Sequence, residues 1–245
     1  MKALGIDIGG SAVKGAPVDT RTGRLLAERH RIATPKQLSP LMMARTVAEI
    51  ARHFHWRGPI GVGFPGVIEG PHILTSANLH PRFIGCDGVK LFGQATRCRI
   101  ALINDAAAAA QAEMKFGAGR GVTGKTLLLT LGTGVGTALA EDGVIFPCEL
   151  GHFPWKGRSA EKHVSALARD RENLSWAVWG HRLGKYIRAL EALLWPELII
   201  IGGGISAKHH KFFPHVTTRA KLVPAQLLNG AGVVGAAVWA ARRQD

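Results

Sequence analysis

The sequence predicts an α/β protein built from two lobes. Short apolar segments that end in glycine turns alternate with helical patterns, and this rhythm occurs twice within the 245 residues. We see no linker rich in proline or serine, so short crossings should join the lobes, with a cleft between them. The expected domains are a smaller N-terminal lobe of residues 1–107, with the C-terminal segment 228–245 packed back on it, and a larger lobe of residues 108–227.

In the N-terminal half, apolar patterning predicts strands at residues 2–8, 11–17, 61–64 and 100–104. Ser39-Pro40 predicts a helix start, because serine can cap a helix and proline suits its first position. An apolar face at helical spacing follows, made of Leu41, Val47, Ile50, Ala51 and Phe54. A further helix is expected from Ala106 to about Phe116, stopped by Gly117.

In the C-terminal half, two strands at residues 126–131 and 135–140 flank a glycine turn. A long helix is expected at residues 174–194, then an apolar strand at 197–201 and a last helix at 231–241.

Composition excludes several classes of protein. Hydrophobic residues make up 47% of the chain and glycine accounts for 31 positions, which is typical of a soluble α/β protein. No apolar run reaches the roughly 18 residues of a membrane span, and Asp7 falls where a signal peptide would be apolar. Cys86, Cys98 and Cys148 form no C-x-x-C pair. We therefore expect a cytoplasmic protein with reduced thiols and no membrane contact.

The net charge of +14 indicates a polyanionic partner. Nucleic acid and a long inorganic phosphate chain would both be attracted by the same charge. The alternative is a positive charge that is spread over the surface and only increases solubility.

The first segment that could bind a ligand or take part in a reaction is residues 7–15, where an acid ends a strand and a tight turn follows. The backbone N–H groups of Gly9, Gly10 and Ser11 could point at phosphate oxygens, and Lys14 adds a positive charge. Asp7 could hold Mg²⁺ through water. An ordinary hairpin is the alternative interpretation.

Two more glycine segments follow later in the chain. Gly132, Thr133 and Gly134 lie between apolar strands, where a ligand can approach the backbone, and the hydroxyls of Thr133 and Thr137 could donate to it; a bulged hairpin is the alternative. Gly202, Gly203 and Gly204 end an apolar strand before an expected helix, which favours anion binding. The basic residues Lys208, His209, His210, Lys211, Arg219 and Lys221 come after this segment.

Two acidic segments complete the candidate chemistry. Asp105 follows Asn104 at a strand-to-helix junction, where a carboxylate is favoured and could accept a proton from a sugar hydroxyl; a helix N-cap is the alternative. Glu149, His152 and Glu161 could bind sugar hydroxyls. Cys148, Glu149 and His152 are also possible metal ligands, but their spacing does not fit a closed zinc site.

These motifs occur in the order found in a known family. Asp7-Ile8-Gly9-Gly10, Pro65-Gly66-Val67, Asn104-Asp105, Leu131-Gly132-Thr133-Gly134, Glu149-Leu150-Gly151-His152 and Gly202-Gly203-Gly204 together resemble the ROK family of sugar kinases and repressors. Within it, the chain is similar to the polyphosphate glucokinases, whose LSWxxW signature resembles Leu174-Ser175-Trp176-Ala177-Val178-Trp179.

The resemblance implies an actin-like ATPase (ribonuclease H-like) fold, Mg²⁺, polyphosphate or ATP as the phosphoryl donor, glucose or a related hexose as the acceptor, and commonly a homodimer. Asp105 would be the general base for the 6-hydroxyl. The implied sugar-binding residues are Gly66, Asn78, Asn104, Glu149, His152 and Glu161. Phosphate and metal would be held by Asp7, Gly9, Gly10, Ser11, Lys14, the two later glycine segments and Lys208.

Absences and departures refine this expectation. No helix-turn-helix precedes the first strand, which argues against a repressor and a nucleic-acid partner. The segment 153–161 lacks the cysteines of the family's zinc motif, so no zinc is expected. Ala107 replaces an acid and His80 stands near Asn78 where an acid is usual, which leaves open an ATP-dependent kinase of another hexose. Asn229-Gly230 replaces a double asparagine. A non-catalytic regulator that binds sugar or polyanion is the third alternative.

Overall fold

A computed structural model describes residues 1–34, 38–76 and 79–242. The chain divides into two compact units. Unit 1 comprises Met1–Ala112 and Gly230–Asp245, and unit 2 comprises Glu113–Asn229. The sequence-based boundaries lay after residues 107 and 227; in the structure, the first boundary falls inside a helix.

Unit 1 is built on a five-stranded sheet with the order β3-β2-β1-β4-β7. Its strands are β1 (Lys2–Ile8), β2 (Ala12–Asp19), β3 (His30–Ala33), β4 (Ile60–Phe64) and β7 (Ile100–Asn104), and the short pair β5 (Ile68–Glu69) and β6 (His72–Ile73) forms a ribbon. β1 pairs antiparallel with β2 and parallel with β4. The helices are α1 (Pro40–His53), α2 (Gly88–Thr96), α3 (Asp105–Phe116), which crosses the unit boundary, and the C-terminal α7 (Ala231–Arg242).

The predicted start of α1 is confirmed, because the Ser39 Oγ accepts a hydrogen bond from the Met42 N–H and Pro40 is the first helical residue. The predicted apolar face is wrong at Leu41, which is 70% exposed. Met43 and Ala44 are buried instead. They lie four and three residues before the buried Val47, whereas Leu41 is out of phase with that face.

The last helix packs closely against the sheet of unit 1. An added Cβ at Gly5 would overlap the Val233 carbonyl, and one at Gly61 would overlap the Ala236 carbonyl. The Trp239 Nε1 donates to the Leu102 carbonyl at 2.9 Å. α7 therefore lies against β1, β4 and β7 with its N-terminus near the end of β1.

Unit 2 is built on a second five-stranded sheet with the order β10-β9-β8-β13-β14. Its strands are β8 (Lys125–Leu131), β9 (Val135–Glu141), β10 (Val144–Cys148), β13 (Leu198–Gly202) and β14 (Lys221–Pro224), with a small ribbon of β11 (Pro154–Trp155) and β12 (Arg158–Ser159). The helices are α4 (Glu161–Val164), α5 (Ala166–Arg171) and α6 (Trp176–Leu194). α6 begins at Trp176, later than predicted, because Ser175 is its N-cap and accepts from the Val178 N–H.

Large side chains fill the core of unit 2. Trp179, Leu183 and Tyr186 of α6 are buried together with Leu129 and Ile199 of the sheet.

Within the described residues, none of the helices is both long enough and apolar enough to cross a membrane.

Candidate active site

In unit 1, the first candidate loop lies at the end of β1. Asp7 and Lys14 are directly opposite each other in the antiparallel pair of β1 and β2. The Gly9 N–H closes the turn by donating to the Ala12 carbonyl at 3.0 Å, so it serves the turn itself. Gly10 and Ser11 are exposed at the tip. Their backbone, together with the Lys14 ammonium, is therefore what this loop can offer to a phosphate.

The Asp7 carboxylate lies against the start of α7. An added Cβ at Gly232 would stand only 2.9 Å from the Asp7 Cγ. Burial raises the pKa of Asp7 above its ordinary value, and the positive charges of Lys14 and Arg29 oppose that rise. The absence of a side chain at Gly232 leaves room for this carboxylate.

The residues present fit Mg²⁺ held through water. Asp7 offers carboxylate oxygens, the ligand type that Mg²⁺ prefers, beside a loop able to accept phosphate. Among the described residues there is no cluster of three or more His, Cys, Asp or Glu side chains that could enclose a metal. A site of this kind suits an ion that keeps most of its waters and binds the substrate's phosphates.

At the end of β7, Asn104 and Asp105 have separate tasks. The Asn104 Oδ1 accepts from the Ala107 N–H at 2.9 Å, and its Nδ2 donates to the Gly66 carbonyl at 3.1 Å. Asn104 is 6% exposed, so it acts as the cap of α3 and holds the Gly66 loop. Asp105 is the first helical residue, and its Oδ1 accepts from the Ala106 N–H at 2.7 Å. The N-cap alternative for Asp105 is therefore wrong.

The remaining sugar-binding candidates of unit 1 give less information. Gly66 is buried, and an added Cβ there would overlap the Thr75 carbonyl, which accounts for a glycine at this position. His80 accepts from the Arg82 N–H through its Nδ1 at 3.1 Å and so caps a short 3₁₀ turn. Asn78 lies outside the described residues.

In unit 2, a backbone hydrogen bond from the first residue of the turn closes the connection between β8 and β9. The Gly132 N–H donates to the Gly134 carbonyl at 3.1 Å, and Thr133 is exposed. Thr137 is buried in β9, and its hydroxyl bonds to the Cys148 carbonyl and the Leu150 N–H. The expectation that Thr137 donates to a ligand is therefore wrong, whereas Thr133 remains a candidate.

The third glycine segment is not followed by the expected helix. Gly203 has a φ of 81°, and an added Cβ there would overlap the Leu131 carbonyl oxygen. The segment Gly204–Lys211 is 3₁₀ and kinked at Lys208, because the Ser206 Oγ bonds back to the Gly203 carbonyl and Lys208 has non-helical dihedrals. A regular α-helix start is thus absent from this described segment, and the anion site stays a prediction that Gly204 and Lys208, both exposed beside the loop, could serve.

Two of the basic residues expected near this loop lie at the other end of the sheet. Lys221 pairs with Leu198 at the start of β13, whereas Gly202 ends that strand. The Arg219 Nη2 donates to the Pro196 carbonyl at 2.6 Å, and its guanidinium stacks on the Trp195 ring. Arg219 and Lys221 therefore do not extend the basic segment at residues 208–211.

The acidic candidates of unit 2 lie together. The Glu149 Oε2 is 3.7 Å from the His152 Nδ1. Burial raises the pKa of Glu149 above its ordinary value; His152 opposes this rise and Glu161 adds to it through its negative charge. Glu161 is in turn 3.2 Å from the Lys162 Nζ. The Glu149 carboxyl group is thus influenced electrostatically by the two other side chains predicted to bind sugar in this unit.

The tryptophan signature is a packing element. Trp179 is fully buried against Phe212, and Trp176 stacks on the same Phe212 ring. The Arg169 guanidinium lies 3.7 Å over the Trp176 ring. The signature therefore joins α6 to the segment after the third glycine loop and orients a cation there.

Two residues with structural relevance to these loops were not predicted from the sequence. Gly232 makes room for the Asp7 carboxylate, and the Tyr186 hydroxyl donates to the Leu150 carbonyl at 2.8 Å beside Glu149. The only sequence signal for either was membership of a helix.

Known proteins resemble this chain along nearly its whole length. The polyphosphate glucokinase of Mycobacterium tuberculosis is 40% identical over 241 residues, which covers 96% of this chain and 89% of that protein. The polyphosphate glucokinase of Mycobacterium leprae is 37% identical over 239 residues, which covers 97% of this chain and 74% of that protein.

Solved structures agree with this similarity. The inorganic polyphosphate/ATP-glucomannokinase of Arthrobacter sp. strain KM superposes with a TM-score of 0.96 at 40% identity, covering 99% of both chains. The ROK glucokinase of Streptomyces griseus, solved with glucose and AMPPNP, has a TM-score of 0.83 at 22% identity over 99% of this chain and 100% of that one, which shows a shared fold.

The mixed α/β architecture is that of the actin-like ATPase fold, as predicted, and the candidate loops follow the strands of its two sheets. The model of the ROK family matches residues 3–162, and the chain belongs to that family.

Proposed function

We propose that this protein transfers a phosphoryl group from inorganic polyphosphate to the 6-hydroxyl of glucose. The observation that carries the proposal is the 40% identity to a polyphosphate glucokinase over 96% of the chain. The site residues are consistent with it, because an acid begins α3 and three glycine loops follow strand ends.

Asp105 is proposed as the general base. Since Asn104 caps α3, the Asp105 carboxylate is not required for that task and can accept the 6-hydroxyl proton as the sugar oxygen attacks phosphorus. In phosphoryl transfer most of the acceleration comes from positioning and charge stabilisation, so the base acts on an already aligned hydroxyl.

Glu149, His152 and Glu161 are proposed to bind the sugar hydroxyls. Carboxylates accept from hydroxyls, and an imidazole can donate or accept, so the three can fix a ring in one orientation. Asn104 contributes indirectly, since both ends of its amide already bond to the protein.

In unit 1, Gly10, Ser11 and Lys14 are proposed to contact donor phosphates. In unit 2, the proposed phosphate contacts are Thr133, Gly204 and Lys208. Mg²⁺, when bound near Asp7, would neutralise charge on the transferred phosphoryl group. The net charge of +14 favours a long polyanion as the donor.

We also propose that the protein acts in the cytoplasm and as a homodimer. Three free cysteines among the described residues are compatible with a reducing compartment. The dimer rests on the family resemblance alone.

ATP and mannose are proposed as a second donor and acceptor, because the Arthrobacter relative is named for both polyphosphate and ATP and for both sugars. Ala107 is fully buried in α3, so its methyl group serves packing at the position where the family resemblance implies an acid.

The test is glucose 6-phosphate formation with Mg²⁺, comparing polyphosphate with ATP for the wild type, Asp105→Asn and Asp170→Asn. We expect turnover with polyphosphate, a loss of about a hundredfold or more in kcat for Asp105→Asn, and no loss for Asp170→Asn, whose side chain is 68% exposed. Turnover with ATP alone would contradict the proposed donor, and full activity of Asp105→Asn would contradict the proposed base.

A further inference from the structure

The buried hydroxyl of Thr137 forms all its hydrogen bonds with the two residues that flank Glu149. Thr137 is 1% exposed. Its Oγ1 donates to the Cys148 carbonyl at 2.6 Å, accepts from the Leu150 N–H at 2.9 Å, and accepts from the Cys148 Sγ at 3.4 Å. A hydroxyl has one donor and two acceptor positions, so its capacity is filled.

These bonds enclose Glu149 from both sides. The carbonyl of the residue before it and the N–H of the residue after it are held by the same oxygen atom. Cys148 is the last residue of β10 and pairs with Thr137, so the Thr137 side chain takes over from the ladder between β9 and β10 as the chain turns away. The backbone of Glu149 is therefore fixed relative to β9.

A second hydroxyl holds the next peptide from the other side. The Tyr186 hydroxyl in α6 donates to the Leu150 carbonyl at 2.8 Å. Burial raises the pKa of Tyr186, so it remains a neutral donor over the whole physiological range. Gly151 then passes so close to the Val135 carbonyl that a side chain there would overlap it.

We infer that Thr137 is a positioning residue that sets the Glu149 carboxylate for the sugar, with Tyr186 as its support. This inference rests on the proposed function, because it gives Glu149 the task of binding the sugar. A hydroxyl needed only to satisfy buried backbone groups would stabilise the fold without affecting the affinity for sugar.

The structure provides a matched control. Thr126 is a second buried threonine in the same sheet, also 1% exposed, and its Oγ1 has no hydrogen-bond partner in the part of the chain that the structure describes. Thr126→Val removes a hydroxyl of equal burial without releasing the Glu149 segment.

The experiment compares Thr137→Val, Thr137→Ser and Thr126→Val in steady-state kinetics. Thr137→Val should raise the KM for glucose about tenfold, the effect of losing one or two net hydrogen bonds. The KM for polyphosphate should stay within about twofold, since the donor loops retain their contacts. Thr137→Ser should restore the wild-type KM, and Thr126→Val should leave it unchanged. A Thr137→Val protein with a lower melting temperature but a wild-type KM for glucose would overturn the inference.

Amide hydrogen exchange at Leu150 separates this inference from the proposed function. Faster exchange in Thr137→Val than in Thr126→Val would show that the hydroxyl holds the segment, and equal exchange would overturn the inference. A wild type that neither binds nor phosphorylates glucose would overturn the proposed function, whatever the exchange shows. If Thr137→Val does not fold, Tyr186→Phe should raise the KM for glucose in the same direction by about threefold; an unchanged KM would contradict the inference.

Discussion

The two sheets share one strand order but are packed in different ways. In each, three antiparallel strands are followed by two parallel ones, β3-β2-β1-β4-β7 in unit 1 and β10-β9-β8-β13-β14 in unit 2. Unit 1 uses Gly5 and Gly61 to bring α7 to backbone contact. Unit 2 packs α6 through Trp179 and Tyr186. The same topology therefore accommodates one helix packed through backbone contact and another packed through large side chains.

This difference determines what each sheet can place at its strand ends. Asp7 pairs with Lys14 of the antiparallel neighbour strand and with a glycine of the parallel one. Thr130 occupies the equivalent position in unit 2, since it pairs with Gly136 of its antiparallel neighbour and with a glycine of its parallel neighbour. Unit 1 thus presents Asp7 against the start of α7 with Lys14 opposite it in β2, whereas unit 2 presents uncharged groups. In unit 2 the charges come from the Glu149 segment beyond β10.

The largest expected effect separates a glycine required by the chain from one that leaves space for a ligand. Gly203→Ala should lower the free energy of unfolding by about 3 kcal/mol and the melting temperature by about 6–12 °C, because of its positive φ and the Leu131 carbonyl. At Gly10, in contrast, a new methyl group would have no atom of a non-neighbouring described residue within 4 Å. It should change stability by less than about 0.5 kcal/mol but weaken donor binding.

Thermal melting and the KM for polyphosphate of the two variants check this prediction. Equal losses of stability would show that the two glycine loops do not differ as described. A wild-type KM in Gly10→Ala would show that the space at the tip of the first loop is not used by the donor.

The next effect concerns the close approach of α7. Gly232→Ala places a methyl group 2.9 Å from the Asp7 Cγ, so the carboxylate must move. We expect the Mg²⁺ concentration for half-maximal rate to rise about tenfold, as for other residues that act on a metal through water. Gly230→Ala, two residues earlier, has no atom within 4 Å of its new methyl group and should behave as wild type.

The dependence of the rate on Mg²⁺ and a ¹³C resonance of the Asp7 carboxyl group are the two measurements. An Asp7 resonance that shifts in Gly232→Ala without a change in Mg²⁺ dependence would separate the packing of Asp7 from metal binding. Identical behaviour of Gly232→Ala and Gly230→Ala in both measurements would contradict the close packing of Gly232 on Asp7 and the proposed role of Asp7 in holding Mg²⁺.

Local signals made much of the fold predictable. Ser39-Pro40 marks the start of α1, and apolar runs that end in glycine mark β1 and β13, because caps and turns depend on neighbouring residues. The edge strands β10 and β14 were not predicted. Each contains a proline, and several of their side chains are exposed, so their pairing depends on the neighbouring strand.

The site was predictable where its residues follow strands and not where it depends on distant contacts. Asp7 and Glu149 stand out as acids next to glycine motifs. Gly232 does not, and Thr137 stands out only as a possible donor to a ligand, because the contacts of Gly232 with Asp7 and of Thr137 with Leu150 arise only in the folded chain. The kink at Lys208 was missed because the back-bond from the Ser206 Oγ to the Gly203 carbonyl competes with a regular helix.

The smallest expected effect compares a partly buried acid in each of the two units through pH. Burial raises the pKa of both Asp7 and Glu149, but Asp7 is opposed by two cations, whereas Glu149 is opposed by His152 and further raised by Glu161. If Glu149 binds the sugar as proposed, its ionised carboxylate accepts from a sugar hydroxyl. The KM for glucose should then rise as the pH falls through this raised pKa, at a higher pH than for an ordinary glutamate at 4.5.

Glu161→Gln removes a cause of the raised pKa, so the pKa of Glu149 should fall and the rise in KM should move to lower pH. The control is Glu141→Gln at the end of β9, which should leave the profile in place. The measurement is KM for glucose as a function of pH, with ¹³C-detected titration of the Glu149 carboxyl group to assign it. An unchanged profile in Glu161→Gln would mean that the charge of Glu161 does not act on Glu149, and that the acids of unit 2 proposed to bind the sugar ionise independently.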